Sequence, residues 1–332
     1  MSSGGTVTVR IVTDSASDLT EAEAAELGVE IVPLTIRFGD EEFTDRKDLT
    51  PTEFYARLAA SPVLPETAAP SPGAFETVFR TLLGGGADTI VCVNISAGLS
   101  ATIQSANQAA RAVDADVRVV DSKSITWGLG SQVVAAAVAA QEGTSAEEIV
   151  ATVEGMVPRT RVYGALDTLE NLKKGGRVGG AQAMLGTLLS IKPIIDISTG
   201  VVEEMVPRTR VYGALDTLEN LKKGGRIGGA QAMLGTLLSI KPIIDISTGE
   251  VQQEAKPRTR TKALQHLVDK VVAAGAVENL SVMHGRAPDI EQFLDLLGAH
   301  HGRQDIHVGD IGATIGVHGG PRVMGVTYQV PA

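Results

Sequence analysis

The stretch TVEGMVPRTRVYGALDTLENLKKGGRVGGAQAMLGTLLSIKPIIDISTG, residues 152–200, is followed at once by VVEEMVPRTRVYGALDTLENLKKGGRIGGAQAMLGTLLSIKPIIDISTG, residues 201–249. The two copies differ only at Thr152/Val201, Gly155/Glu204 and Val178/Ile227. A solenoid needs about three or more such units, because each alone leaves an apolar face uncovered. Two copies between unlike flanks read instead as a unit repeated inside a pre-existing fold, natural or introduced. The string PRTR stands at 158–161, 207–210 and 257–260, so misaligned recombination between two such strings would copy the interval. Subtracting one 49-residue unit from 332 residues leaves 283, a length that suggests about two domains.

Upstream of the repeat, strands and helices alternate. The β-branched run 7–12 ends at the polar loop TDSASDL, 13–19, where Asp18 is expected to cap the helix EAEAAELG, itself closed by Gly28. A strand is expected at 29–36, then a helix over 48–60 opened by Thr50 with Pro51 at its first position. A loop at 66–75 leads to a helix at 73–83. A buried strand at 88–95, a loop at 96–101, a helix at 102–113, a strand at 116–120, the loop DSKSITWGLG and the buried helix 131–140 follow. This order predicts a mostly parallel α/β domain over 1–150. Ligands of such sheets bind beyond the carboxyl ends of the strands, where the loops at 13–18, 67–71, 96–101 and 121–126 converge.

Residues 151–332 read as a C-terminal α+β domain containing both copies. One copy supplies the strand RVYGAL, the helix DTLENLKK, the turn GGRVGG, the apolar helix AQAMLGTLLS and the strand KPIIDIS. Helix 259–273, strand 279–284, helix 288–300, strand 305–309 and a final pair about the turn HGGPRV, 318–323, complete it.

Composition narrows the function. The start MSSGGTVTVR lacks a signal-peptide core, and no apolar run approaches a membrane span, so the expectation is a cytoplasmic globular protein without membrane insertion. One cysteine, Cys92, in the apolar run TIVCVNI, reads as a core residue and forbids an internal disulfide or thiolate cluster. A net charge of −10 with 3% aromatics argues against a nucleic-acid partner. No His/Asp/Glu spacing resembles a metal site, and no cofactor is expected.

GGRVGG at 175–180 and GGRIGG at 224–229 are candidate anion loops, although the same spacing suits a tight connection between helices. Arg177 and Arg226 could pair with a carboxylate or phosphate through two parallel hydrogen bonds. His318, in VHGGPR, is a candidate functional imidazole, and His284, in MHGR, is another. Ser96, Ser100 and Ser122 lack the GxSxG elbow of a serine hydrolase.

Taken in order, TDSASDL, ETAAPSPGAF, NISAGLSATIQSA, VVDSKSITWGLG, DTLENLKKGGR, LLSIKPIIDISTG and GVHGGP resemble the DegV family of bacterial fatty-acid-binding proteins. The resemblance implies two domains holding one long-chain fatty acid between them, its tail in an apolar tunnel. It also implies a partner, a fatty acid kinase that converts the presented carboxylate to an acyl-phosphate for phospholipid synthesis. Carried over motif by motif, the carboxylate contacts are Thr67, Ser96, the backbone at Ala97, Arg177 or Arg226, His318 and Gly319, with Asp14, Ser15, Ser122 and Arg322 in support. Ala68 and Ala97 stand where the family has serines, Ser100–Ala101–Thr102 replaces SGT, and Gly320–Pro321–Arg322 replaces GPG. Burying ~15 methylenes contributes on the order of 12 kcal/mol gross, and the buried carboxylate then needs hydroxyls and cations around it. The alternative is an enzyme acting on a small phosphorylated or acyl substrate through the GGR loop and His318. A tunnel with apolar walls and no second ionisable group near His318 would favour the carrier. Near-identity of the copies implies that Arg177 and Arg226 are interchangeable, and an apolar helix left over from the unused copy implies self-association.

Overall fold

The computed structural model describes residues 7–167, 171–172, 175, 194–198, 203–204, 212–214, 243–245 and 259–331. The first part runs β1 (Val9–Asp14), α1 (Glu21–Leu27), β2 (Val29–Val32), β3 (Thr35–Phe38), β4 (Glu41–Thr44), α2 (Pro51–Ala60), β5 (Glu66–Ala68) and α3 (Pro72–Gly84). It continues with β6 (Thr89–Asn94), α4 (Thr102–Ala112), β7 (Asp116–Asp121), α5 (Thr126–Gln141) and α6 (Ala146–Met156). Then come β8 (Thr160–Ala165), β9 (Ile194–Asp196), β10 (Glu203–Glu204), β11 (Tyr212–Ala214) and β12 (Ile243–Asp245). The chain ends with α7 (Arg260–Ala273), β13 (Glu278–His284), α8 (Ile290–Gly298), β14 (His307–Asp310), α9 (Ala313–Gly319) and β15 (Met324–Gln329).

The N-terminal part is built on an all-parallel sheet of order β2-β1-β6-β7. Every residue of β6 is buried, as a central strand covered on both faces requires. On one face Ile11, Val91 and Val93 pack with Val133, Ala136, Ile149 and Val153 of α5 and α6. On the other, Val12, Ile90 and Cys92 pack with Phe75 and Phe79 of α3 and Ala106 and Ala109 of α4. Cys92 is therefore a core residue, and burial pushes its thiol well above the ordinary range. The C-terminal part is a mixed sheet of order β10-β9-β8-β15-β13-β14. One face packs on α7 and α8, through Leu264, Leu267, Val271, Phe293 and Leu297; the opposite face looks toward the first part.

Several sequence expectations are corrected. The strand expected at 29–36 is two strands: Pro33 has no N–H for a ladder, and Leu34 N donates to Ser15 Oγ, so β2 stays in the parallel sheet while β3 joins an antiparallel β4-β3-β5 sheet. The loop expected at 66–75 contains β5, paired with β3. The loop expected at 121–130 gives way to α5 at Thr126. Gly128, which reads as a loop residue, sits where an added Cβ would lie 2.6 Å from Val162 Cγ2, so glycine allows α5 to approach β8 closely. Asp18 does not cap α1. Thr20 does, in a capping box with Glu23, and Asp18 takes a left-handed conformation at the end of a 3-10 turn, Ser15–Ser17, whose start is capped by Asp14. The pair expected about 318–323 is a helix, α9, followed by a turn and β15.

The repeat resolves into a primary and a secondary copy. In the first, β8 and β9 lie within the six-stranded sheet, with Tyr163↔Asp196, Gly164↔Ile195 and Ala165↔Ile194 paired. In the second, β11 and β12 reproduce that register, Tyr212↔Asp245, Gly213↔Ile244 and Ala214↔Ile243, in a separate two-stranded sheet. The start of the unit adopts two structures. Val153–Met156 is the last turn of α6, which Ser145 caps, whereas Glu203–Glu204 forms β10 on the edge of β9. The second copy lacks the preceding helix, so packing rather than propensity decides.

The two parts are joined by α9. Gly312 N donates to Asp18 Oδ1 at 2.9 Å, and Thr314 Oγ1 donates to Asp45 Oδ2 at 2.5 Å, all in buried surroundings. Arg46 pairs with Asp18 at 2.8 Å, offsetting the burial that pushes the Asp18 carboxyl up. Thr314→Val leaves the Asp45 carboxylate without its hydroxyl donor, and we expect a loss of about 2 kcal/mol in urea unfolding, with Thr314→Ser close to neutral.

Candidate functional site

Between the two sheets lies a cavity of about 830 Å³, its open mouth included. Its walls come from both parts: Leu34, Ile95, Leu99 and Ile125 from the first, and Val162, Leu172, Ile195, Ile197, Met283, Ile311 and Val323 from the second. The period-two alternation of a strand accounts for this. Val323, Gly325 and Thr327 face the cavity, whereas Met324, Val326 and Tyr328 point into the core beneath α7 and α8. On β8, Val162 and Gly164 face the cavity. The Tyr163 ring packs on the opposite side, against Tyr328 and under Lys270.

One face of α9 completes the wall with Thr314, Ile315, His318 and Gly319. His318 Nε2 and Thr67 Oγ1 are 3.2 Å apart, which links the last turn of α9 to β5. A Cβ on Gly175 would lie 2.5 Å from His318 Nδ1, so this glycine of the first GGR loop lets its backbone meet the imidazole. With Tyr163 turned away, His318 is the ionisable side chain facing the cavity among the described residues. No group of three or more His, Cys, Asp or Glu suited to a metal occurs among those residues. None of their helices is long and apolar enough to cross a membrane.

The model of a protein family described as "Uncharacterised protein, DegV family" matches residues 8–206 and 201–330. The chain belongs to the DegV family. A DegV domain-containing protein of Streptomyces coelicolor is 32% identical over 325 residues, covering 97% of this chain and 98% of its own. A Deinococcus radiodurans relative is 39% identical over 194 residues, 58% of this chain and 69% of its own. Among solved structures, a DegV family protein from Thermus thermophilus, described as fatty-acid binding, superposes with a TM-score of 0.76 at 28% identity, over 98% of this chain and 100% of that one. A Streptococcus agalactiae DegV protein at 22% identity shares the fold, with a TM-score of 0.75 over 98% of this chain and 99% of its own.

The DegV motif residues do not all meet at the cavity. Thr67, His318 and Gly319 meet at the cavity. Ser96, Asp14, Ser15 and Ser122 are buried behind the loops and hold them. Ser96 Oγ accepts from Gly98 N and Ser122 Oγ from Ser124 N, while Ser15 Oγ accepts from Leu34 N. Asp14 accepts from Ala16 N, Ile95 N and Asn94 Nδ2; burial nonetheless pushes its carboxyl up to about 6. Ala97 N donates to Asp121 Oδ1 at 3.2 Å, and Arg322 reaches toward Asp167 at 3.6 Å from a half-exposed position. Arg177 and Arg226 lie outside the described residues. His284 is half-buried beside Asp310, away from the cavity lining, and burial lowers its pKa.

Sequence reasoning missed the apolar wall, Leu34, Ile125, Ile311 and the cavity face of β15. The alternation in VMGVTY was the available signal. Thr67→Val removes the hydroxyl from His318 Nε2. Compared with the parent chain at one fixed pH, we expect the His318 imidazole resonances to move in the NMR spectrum while those of His284 and His307 stay in place.

Proposed function

We propose that this chain is a carrier that binds one long-chain fatty acid and presents its carboxylate to a separate fatty acid kinase for acyl-phosphate formation in phospholipid synthesis. The observation that carries the lipid reading is the cavity, an apolar enclosure between two sheets with a hydroxyl and an imidazole paired at one end. The acyl chain lies against Ile95, Ile195 and Met283, where each buried methylene contributes about 0.8 kcal/mol. Its carboxylate sits by Thr67, His318 and Gly319, and an arginine of one GGR loop, Arg177 or Arg226, supplies the cation that a buried anion requires. The fatty-acid-binding Thermus thermophilus relative, 28% identical, supports the ligand class.

A general base and nucleophile pair is not part of this reading, because the partner performs the chemistry. The kinase and its pathway rest on the family resemblance. Of the basic residues near the start of α7, Arg260 already forks onto Asp289 at 2.6 and 2.9 Å, which disfavours it as a docking group.

Native mass spectrometry of the purified chain, followed by solvent extraction, tests the reading. We expect one fatty acid per chain, retained when 201–249 is deleted, because Gln252–Gln253 then stand at the spacing from β9 that Glu203–Glu204 occupy. Lipid in neither chain overturns it. Self-association through the second copy is expected in light scattering of the full chain and is expected to vanish with the deletion.

A further inference from the structure

The register of the six-stranded sheet shows how the cavity floor is made. Four strands contribute one rung, Ile195, Gly164, Gly325 and Met283 in order across β9, β8, β15 and β13. The next rung is Val162, Thr327 and Ser281, of which Val162 and Thr327 line the cavity, with Ile197 N donating to Val162 O alongside. The middle of the first rung is thus two adjacent glycines. A sheet face carries a side chain at every second residue of each strand, so paired glycines leave a trough flanked by Ile195 and Met283. A Cβ on Gly164 would sit 3.3 Å from Ile195 Cγ1, and one on Gly325 would sit 3.1 Å from Tyr163 O.

The trough has a direction. At one end, Val323 lies against Gly319, where a Cβ would come 3.2 Å from Val323 Cγ2, beside His318. Four residues further along the strand, about 13 Å at the rise of a β-strand, Thr327 and Val162 restore side chains. The first turn of α5 closes over Val162 at Gly128. The polar pair is at one end, the bare floor in the middle and the closure at the other.

We infer that the Gly164–Gly325 rung is the floor on which the acyl tail lies, and that the Val162–Thr327 rung is the stop that sets the accepted chain length. The inference rests on the carrier reading and adds the residues that select among its ligands. β15 occurs once in the sequence, so changes on it cannot be bypassed by the second copy.

The test is competition binding of saturated acids, from decanoic to eicosanoic, to the full chain and to Gly325→Val and Thr327→Ala, with thermal melts of each. Gly325→Val raises the floor, and the longest acids are expected to weaken about tenfold or more while the shortest are spared, since one methylene of misfit is worth about that factor. Thr327→Ala is expected to move the optimum to longer acids. Should Gly325→Val fail to fold, Gly325→Ala is expected to shift the profile in the same direction by less. Wild-type chain that binds none of the acids overturns the carrier reading and this one with it. Wild-type binding with length profiles unchanged in the folded variants overturns the floor and stop alone.

Discussion

Two buried carboxylates, Asp18 beyond β1 and Asp45 directly after β4, receive donors from the residue before α9 and from α9 itself. A carboxylate taken out of water demands such partners, so the last helix of the chain is fixed over the first part by electrostatic necessity as well as by shape. Everything at the site follows from that placement. Anchored at Gly312 and Thr314, α9 carries His318 one helical turn further, to Thr67 on the small antiparallel sheet. The cavity is the space that remains beneath the helix, between a parallel sheet whose loops point into it and a mixed sheet that faces it.

The parallel sheet, the helices at 21–27 and 51–60 and the helices α7 and α8 were legible because most of them carry a local signal: β-branched and apolar runs in the strands, Gly28 closing the first helix, Thr50 and Pro51 opening the second. The errors fell where local signal and packing disagree. Gly128 suggests a loop but permits the contact of α5 with β8. Asp18 resembles a cap, yet its carboxylate is needed by Gly312, nearly three hundred residues away in the chain. Thr67 and His318 were named through motif order, and the structure brings the two side chains together at the cavity, which motifs alone do not show. The apolar wall escaped notice because no residue in it is chemically unusual; it exists only as a register between strands.

The repeat shows the same rule from the other side. Nearly identical sequence ends a helix at Val153–Met156 and supplies an edge strand at Glu203–Glu204. What differs is the company: in the first case a capped helix already docked on the parallel sheet, in the second a free edge of β9.

That edge is undemanding. β10 is two residues long and joined to β9 by backbone pairing. A seam of this kind accepts foreign sequence with little cost to the sheet, since the strand beside it asks for backbone amides rather than particular side chains. The position after Glu204 is therefore a port through which a reporter or a binding module can be spliced into the chain, provided that β9, whose Ile195 belongs to the cavity wall, keeps its place beside β8.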